Sequence, residues 1–398
     1  MTATRKRRYW KLLLAGLLLY VGYVLAGVGL IAAGRFSKFY FLPGWAVKGP
    51  HADASGVSAD GPVVYWQRGA WLSRQLVPAG KGLTICTDTL RGDGTDTVQC
   101  YVAGTGEQFG VPLRTAATVP AATGPLPERL LAVSDIEGNF RGFAALLRGA
   151  GVVDERLRWR FGHGHLVLVG DFFDRGLNVT ECLWLVYKLE QEAARAGGQV
   201  HFIMGNHERM NLTGHYKYLR RKYRANADTL ELPYARWYGR STVLGQWLRS
   251  KNVVEKLGPV VFVHGGISPE LAARHLPLLQ LNDLARASLD TPVTALSPLA
   301  RQATQPPGSP DWYRGLVQKE PTAAQVAQVL AAYGATTLVV GHTPVAAITP
   351  LYGGRVLAID LPHQERTDAG QPLQALRWQG GQWQVVNSQG RVQPLAAE

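Results

Sequence analysis

The fold is decided by one stretch of the chain, LVLVGDFFDRG, which occupies residues 166–176. Its first four residues form an uninterrupted apolar run, which is typical of a strand buried on both faces of a parallel sheet. The run ends at Gly170, and the polar side chains of Asp171, Asp174 and Arg175 follow at once. An α/β sheet gathers its functional side chains at the carboxyl ends of such strands. The stretch therefore predicts an α/β fold with a polar site at one edge of the sheet.

Four further motifs repeat this arrangement, each of them directly after a mostly apolar run. They are SDIEGN at residues 134–139, GNHE at 205–208, HGG at 264–266 and GHT at 341–343. Each motif alone is a weak signal, because a buried histidine or aspartate is often just a hydrogen-bonded polar group. Five motifs in order, each after a predicted strand, together indicate a single site.

The residue types in these motifs indicate metal-dependent hydrolysis of a phosphate ester. Two cations roughly 3.5–4 Å apart neutralise the phosphate charge and turn a bound water into hydroxide. Such a pair needs oxygen and imidazole ligands, and the absence of cysteine from the motifs favours Mn, Fe or Zn over a sulfur-bound structural zinc. The candidate metal ligands are Asp135, Glu137, Asp171, Asn206, His264 and His342.

The motifs resemble those of the calcineurin-like metallophosphoesterases, specifically the phosphoprotein phosphatase branch, in which the second motif ends in Asp-Arg-Gly. Two more segments, PDWYRG at 310–315 and FVHGGISP at 262–269, are similar to the Shewanella-like protein phosphatases. The resemblance covers roughly residues 130–361. It implies a two-sheet α/β sandwich flanked by helices, and hydrolysis of phosphomonoesters on serine, threonine or tyrosine of a phosphorylated protein.

The resemblance also implies a role for each candidate residue. His207 would protonate the leaving oxygen as general acid, and Asp174 would orient it. Arg175 and Arg314 would bind the phosphate, together with Asn206. The implied metal sites share one carboxylate: Asp135, Glu137 and Asp171 hold one ion, and Asp171, Asn206, His264 and His342 hold the other.

One position departs from the family pattern. The first motif of the family reads Asp-x-His, whereas this chain has Asp135-Ile136-Glu137. The additional negative charge should weaken the metal as a Lewis acid and raise the pKa of its water. We therefore expect an alkaline-shifted activity optimum or a preference for a harder ion such as Mn. The alternative is a damaged site that binds phosphate without turnover.

The amino terminus predicts attachment to a membrane. Residues 12–33 carry no charge, and as a helix they would rise about 33 Å, which is enough to cross a bilayer. The preceding basic cluster, residues 5–8, should stay in the cytoplasm. This predicts a single-pass inner-membrane protein with its catalytic domain on the periplasmic or extracytoplasmic side. The alternative is a signal peptide that is cleaved at Val24-Leu25-Ala26.

The remainder of the chain divides by composition into a small β module and a catalytic domain. Short strands punctuated by glycine turns are predicted from residue 62 to 113, and strands alternating with helices follow. The predicted divisions are a basic tail and transmembrane anchor (1–34), a spacer (35–61), the small β module (62–114), a linker (115–127) and the catalytic domain (128–390).

The cysteines are compatible with export. Cys86 and Cys100 flank a predicted hairpin turn at residues 91–95, and equal spacing from that turn would place them opposite each other. We therefore expect a disulfide in an oxidising compartment, with two packed free thiols as the alternative. Cys182 lies in a predicted helix and is expected in the core.

The chain carries a formal net charge of +13, part of which lies in the segment KYLRRKYR at residues 217–224. Such a segment would recruit a phosphorylated substrate or anionic lipid, or form a solvated helix face. No nucleic-acid motif is recognisable, so no nucleic-acid partner is expected. Two other functions stay open: hydrolysis of a small phosphomonoester, nucleotide or lipid-linked phosphate at the membrane surface, and a non-catalytic phosphate-sensing module.

Overall fold

The computed structural model describes residues 3–32, 38–42, 45–48, 53 and 55–398. The chain divides into two compact units, Met1–Gly56 and Val57–Glu398. Parts of the predicted anchor and spacer lie outside the described residues, at 1–2, 33–37, 43–44, 49–52 and 54.

The first unit contains one long helix and a short hairpin. Helix α1 (Ala3–Ala32) includes the apolar stretch Trp10–Leu30, whose mean hydropathy is 2.1. By length and composition this helix meets the requirement for a membrane span, which a signal sequence also meets. Strands β1 (Lys38–Leu42) and β2 (Trp45–Lys48) pair antiparallel, so part of the predicted spacer is folded.

The second unit holds all the motifs. Its strands are β3 (Asp60–Gln67), β4 (Ala70–Ala79), β5 (Gly82–Leu90), β6 (Thr97–Tyr101), β7 (Gln108–Pro112), β8 (Thr123–Gly124), β9 (Arg129–Val133), β10 (His165–Leu168), β11 (Gln199–Phe202), β12 (Val254–Leu257), β13 (Val260–Val263), β14 (Thr337–Val340), β15 (Thr349–Leu351), β16 (Val356–Ala358), β17 (Gln374–Gln379), β18 (Gln382–Asn387) and β19 (Val392–Pro394). Its α-helices are α2 (Phe140–Gly149), α3 (Val179–Arg195), α4 (Asn206–Leu212), α5 (Arg221–Thr229), α6 (Tyr234–Trp237), α7 (Val243–Arg249), α8 (Pro269–Ala272), α9 (Leu278–Ser288), α10 (Pro298–Thr304), α11 (Ala323–Ala332) and α12 (His363–Asp368), with a 3₁₀ turn at Val293–Ala295.

Two six-stranded sheets form the centre of this unit. One has the order β11-β10-β9-β17-β18-β19, and the other β15-β16-β14-β13-β12-β8. Strands β9, β10 and β11 run parallel, as do β13, β14 and β16. The parallel strands of each sheet therefore end at one edge, and all five predicted motifs begin there.

Strand β9 shows why these strands are apolar throughout. Leu130 and Ala132 on one face pack with Val167, Phe262 and Val339, so this core lies between the two sheets. The residues of the other face belong to the larger core, which includes the helices. A strand covered on both faces has no solvated side, and this accounts for the uninterrupted apolar runs in the sequence.

The strands from β3 to β7 pack on helices α2 and α3. Strands β3, β4 and β5 form one sheet, and β6 pairs with β7. Trp184 of α3 donates a hydrogen bond of 2.8 Å from Nε1 to the carbonyl of Pro62. Phe109 of β7 stacks on Phe140 of α2, with ring centroids 6.0 Å apart. These contacts bury apolar surface from both segments. The predicted boundaries of the β module and linker stay a prediction.

The predicted disulfide between Cys86 and Cys100 is wrong, because all three cysteines are free. Strand β5 pairs with β4, which places Cys86 opposite Gln75. Strand β6 pairs with β7, which places Cys100 opposite Phe109. The glycine-rich turn thus joins strands of two different sheets, and equal spacing from a turn does not imply pairing. Cys182 is fully buried, as expected.

Candidate active site

The site lies where the parallel strands of the two sheets end. Strands β9, β10 and β11 lead into Asp135, Asp171 and Asn206, and the neighbouring sheet supplies His264 after β13 and His342 after β14. All five side chains are buried. Several backbone angles there are left-handed, a conformation that costs non-glycine residues about 1 kcal/mol or more each and that clusters at functional sites. The residues concerned are Asp135, Glu137, Asp171, Asp174, Arg175 and His342.

The carboxylate of Asp171 is the centre of the cluster. Its Oδ2 lies 3.1 Å from Nε2 of His264 and 3.8 Å from Nε2 of His207. Its Oδ1 accepts a hydrogen bond of 3.0 Å from the backbone N–H of His207. Burial alone would raise the pKa of Asp171, but His264 and His207 hold it well below its usual range. Asp171 is therefore a charged ligand candidate.

His264 is fixed in a single orientation by its neighbours. Its Nδ1 donates to the carbonyl of Val169 at 2.7 Å, and this leaves Nε2 facing Asp171 and the Oδ1 of Asn206, the latter at 3.0 Å. A metal-binding histidine is commonly held by a backbone carbonyl in this way. Burial opposes a positive charge on His264, yet the carboxylates of Asp171 and Asp135 raise its pKa to about 10.

His342 supplies an observation that tests for a metal. Its buried Nε2 has no hydrogen-bond partner among the described residues. Burial and the neighbouring His264 lower the pKa of His342 to about 3, so the ring is neutral and keeps a free lone pair. Ligand atoms of Asp171, His264 and His342 lie within 4.8 Å of one another. One buried carboxylate and two buried imidazoles fit a divalent transition metal, which would displace the Nε2 proton of His264 on binding.

A second group of ligand atoms, from Glu137, Asp171 and His207, lies within the same distance limit of 4.8 Å. Asp171 thus belongs to both groups. Asp135 belongs to neither group among the described residues, but its Oδ2 accepts a hydrogen bond of 3.2 Å from the backbone N–H of His342. Burial and the nearby Asp171 raise the pKa of Asp135 to about 6.

His207 forms a separate pair with Asp174. Its Nδ1 lies 2.6 Å from Oδ2 of Asp174, which also accepts a hydrogen bond of 3.0 Å from the side chain of Asn211. Burial lowers the pKa of His207, but the charges of Asp171 and Asp174 outweigh it and raise the pKa overall. The ring therefore carries a proton readily and presents Nε2 to the site.

Two arginines border the cluster. Arg175 is half-exposed, forms an ion pair with Glu137, and lies over the ring of Tyr218 with its guanidinium carbon 5.5 Å from the ring centroid. Arg314 donates a hydrogen bond of 2.5 Å to the carbonyl of His342. Both guanidinium groups are thus near the cluster. The charge of Arg175 is neutralised by Glu137, which stands where the family pattern has histidine.

Two glycines allow the sheets to approach each other here. A Cβ atom at Gly170 would lie 2.6 Å from Nδ1 of His264, and a Cβ atom at Gly341 would overlap the hydroxyl of Ser134. Gly170 also has a φ of 82°, which favours glycine. The end of each sheet therefore contacts a site residue of the other sheet through a glycine.

Sequence reasoning missed two acidic residues at the site. The carboxylate of Glu208 accepts backbone hydrogen bonds from Gly205, Asp171 and Phe172 at 2.7–2.9 Å. Asp360 is buried after strand β16, and burial together with Asp135 raises its pKa to about 9. Asp360 follows an apolar strand as the other site residues do, so the same signal would have found it.

A two-sheet α/β sandwich with aspartate, asparagine and histidine gathered at its strand ends defines the metallophosphoesterase class. The family model for calcineurin-like phosphoesterases matches residues 128–346. The chain therefore belongs to the calcineurin-like phosphoesterase family, whose members use divalent metals. This confirms the predicted family and enzyme class.

Named relatives and a solved structure are similar to the chain. Shewanella-like protein phosphatase 1 of Plasmodium berghei is 27% identical over 263 residues, which cover 61% of this chain and 69% of the relative. Shewanella-like protein phosphatase 2 of Arabidopsis thaliana is 40% identical over 96 residues, 24% of this chain and 25% of the relative. The crystal structure of a cold-active protein-tyrosine phosphatase from a psychrophilic Shewanella species has a TM-score of 0.76 and 30% identity, and covers 85% of this chain and 100% of that chain.

Proposed function

We propose that the protein is a metal-dependent phosphatase that hydrolyses phosphate monoesters on proteins. The observation that carries this proposal is the convergence of Asp171, His264 and His342 within 4.8 Å, beside the buried pair of His207 and Asp174. The similarity to a protein-tyrosine phosphatase over 85% of the chain makes phosphotyrosine the first substrate to test, ahead of phosphoserine and phosphothreonine.

The donor set supports two cations such as Mn, Fe or Zn. Asn206, His264 and His342 would hold one of them, Asp135 and Glu137 would hold the other, and Asp171 would be shared. When bound, the cations supply charge neutralisation for the phosphate and an activated water. Asp171 is suited to the shared position because it belongs to both groups of ligand atoms.

His207 would act as the general acid. Because Asp174 occupies Nδ1 at 2.6 Å, the proton available for transfer is the one on Nε2. That nitrogen lies 3.8 Å from the carboxylate of Asp171, so a phosphate bound at the cluster would place its leaving oxygen nearby. The raised pKa of His207, caused by Asp171 and Asp174 against the effect of burial, favours the protonated form that this step needs.

Arg175 and Arg314 would bind the phosphate, with Asn206 contributing from the cluster. A guanidinium suits this task because its N–H groups match two phosphate oxygens. In the free protein Arg175 is paired with Glu137, so an incoming phosphate would compete with that carboxylate. We therefore expect weaker phosphate binding than a free arginine would give.

We also propose that α1 anchors the protein in the inner membrane with the catalytic unit on the extracytoplasmic side. The proposal is supported by the apolar stretch Trp10–Leu30 and by the basic residues that precede it. Protease added to intact cells and to spheroplasts tests it, since only an extracytoplasmic catalytic unit becomes accessible once the outer barrier is removed. Digestion only after lysis would contradict it.

A metal-supplemented assay tests the activity. We expect p-nitrophenyl phosphate to be hydrolysed with at least one of Mn, Fe, Zn, Co and Ni, and bis-p-nitrophenyl phosphate to be hydrolysed poorly. The variant Asp171→Asn is the matched control and should be inactive in every metal. Strong cleavage of the diester would favour a phosphodiesterase instead, and no turnover with any metal would favour a phosphate-sensing module.

The apolar helix favours a second candidate substrate class, a nucleotide or lipid-linked phosphate at the membrane surface. A panel of phosphopeptides, nucleotides and lipid phosphates separates the two. We expect the highest kcat/KM with a phosphopeptide, and a lipid phosphate that exceeds every peptide would select the second candidate.

A further inference from the structure

The basic segment at residues 217–224 is partly buried, which differs from the solvated helix face considered from the sequence. Lys222 is 1% exposed and Tyr223 is fully buried. Burying an ammonium group is unfavourable unless it is paired and hydrogen-bonded. The partners of Lys222 therefore indicate its purpose.

The segment holds the loop that follows Asp174. Three of its side chains donate hydrogen bonds to three successive carbonyl groups of that loop. The bonds run from Arg220 to Arg175 at 2.6 Å, from Tyr223 to Gly176 at 3.4 Å and from Lys222 to Leu177 at 2.5 Å. The backbone that carries the phosphate-binding arginine is thus held by one neighbouring segment.

This loop needs such support because of its own conformation. Asp174 and Arg175 have φ angles of 68° and 56°, so two consecutive non-glycine residues are left-handed. Each such conformation is unfavourable and persists only where surrounding contacts fix it. Loss of one of the three carbonyl bonds would therefore allow the loop to relax.

Lys222 is itself held by two buried carboxylates. Its Nζ lies 3.4 Å from Asp60 and 3.7 Å from Glu181. Asp60 also accepts a hydrogen bond of 2.9 Å from Asn226. Asp60 belongs to strand β3, which lies outside the range matched by the family model. The amino-terminal strands are thereby connected to the catalytic loop through one lysine.

We propose that Lys222, held by Asp60 and Glu181, is a positioning residue that fixes the loop carrying Arg175 and so sets the affinity of the site for phosphate. The proposal rests on the phosphate-binding role proposed above for Arg175. It gives the amino-terminal β strands a part in substrate binding.

The test compares two buried lysines in the full-length protein. Lys222→Met removes the ammonium group at the loop. Lys188→Met is the matched control, because Lys188 is also buried, donates to a carbonyl (Leu157, 2.7 Å) and pairs with a carboxylate (Glu192, 2.7 Å) on another part of the fold. The measured quantities are kcat and KM for p-nitrophenyl phosphate, the inhibition constant of inorganic phosphate, and the melting temperature.

We expect Lys222→Met to raise both KM and the phosphate inhibition constant by about 5- to 20-fold, with kcat changed by less than about 3-fold. Lys188→Met should lower the melting temperature without changing either constant. Equal effects of the two variants on the constants, or unchanged constants in Lys222→Met, would overturn the proposal.

Two more variants keep the outcome decisive. Arg175→Gln should raise the phosphate inhibition constant; if it does not, the role of Arg175 itself is wrong and the inference falls with it. If Arg175→Gln has the effect and Lys222→Met does not, only the inference fails. Should Lys222→Met not fold, Asp60→Asn decides: a rise of about 2- to 5-fold supports the proposal, and an unchanged constant overturns it.

Discussion

His207 has one ring nitrogen committed to Asp174 and the other directed at the cluster, 3.8 Å from Asp171. Asp174 also accepts a hydrogen bond from Asn211, so its carboxylate is fixed and the ring cannot turn without breaking its buried hydrogen bond to Asp174. At the scale of single residues, this arrangement specifies which atom would deliver a proton.

We expect His207→Asn to lower kcat by about 10²- to 10⁴-fold on an alkyl phosphate, because the leaving alkoxide then departs without a proton. The loss should be much smaller on p-nitrophenyl phosphate, whose leaving group is stable as an anion. Steady-state kinetics on both substrates measure the difference. An equal loss on the two substrates would show that His207 acts in another way.

Glu137 is the residue that most distinguishes this site from the family pattern. It lies in one of the two groups of ligand atoms and also pairs with Arg175. Its negative charge has two consequences. It would raise the pKa of a water bound to a metal in the cluster, and it forms an ion pair with Arg175, which would otherwise be available to bind phosphate.

We therefore expect Glu137→His to shift the pH optimum down by about one unit, since removal of a neighbouring negative charge favours deprotonation. The same change should lower the KM, because Arg175 becomes free for the phosphate. The pH dependence of kcat and of KM, recorded in Mn and in Zn, measures the shift of the optimum and the change in KM. An unchanged profile and an unchanged metal preference would contradict the role given to Glu137.

The residues that the sequence predicted for the site share a local signal, and Glu208 shows the limit of that signal. Asp135, Asp171 and His264 each follow an apolar strand, so strand ends alone place them. Sequence reasoning gave Glu208 no role. Its carboxylate accepts hydrogen bonds from three backbone N–H groups of two separate loops, and these loops meet only in the folded chain.

At the scale of elements, buried strands and amphipathic helices were predicted well. Each motif follows a strand in the structure, and Cys182 lies in helix α3, as expected, because continuous burial and a 3.6-residue period leave a clear pattern in the sequence. The pairing of β5 was not predictable, because it depends on which sheet each strand joins. The short helices between residues 221 and 304 have too few turns to show a clear period.

The stack of Phe109 on Phe140 allows the packing of the amino-terminal strands to be measured. We expect Phe109→Ala to destabilise the protein by about 3–5 kcal/mol, since it leaves a cavity between β7 and α2. Urea unfolding should show a single transition, and its midpoint should move to a lower urea concentration in the variant. Two transitions, of which only one moves, would mean that the β module folds independently of the catalytic domain.

At the scale of the whole molecule, the chain separates at residues 56 and 57, and the second unit holds every site residue. We expect a chain that begins at Val57 to be soluble without detergent and to keep kcat/KM within about twofold, because it retains Asp60 and the complete core. A chain that begins at residue 115 should aggregate, since it uncovers Phe140 and Trp184. Full activity of that shorter chain would contradict the interpretation that the strands before residue 115 share a core with helices α2 and α3.

The glycines at 170 and 341 set the spacing between the two sheets at the catalytic edge. Each is a point at which a hydrogen atom, the smallest side chain, separates one layer from a reactive group of the opposite layer. A methyl group at position 170 would displace the imidazole of His264 from the central carboxylate, and one at position 341 would displace Ser134 and Asp135. The loss of activity on substitution of either glycine by alanine therefore measures how closely the two sheets must approach for the candidate metal ligands to come together.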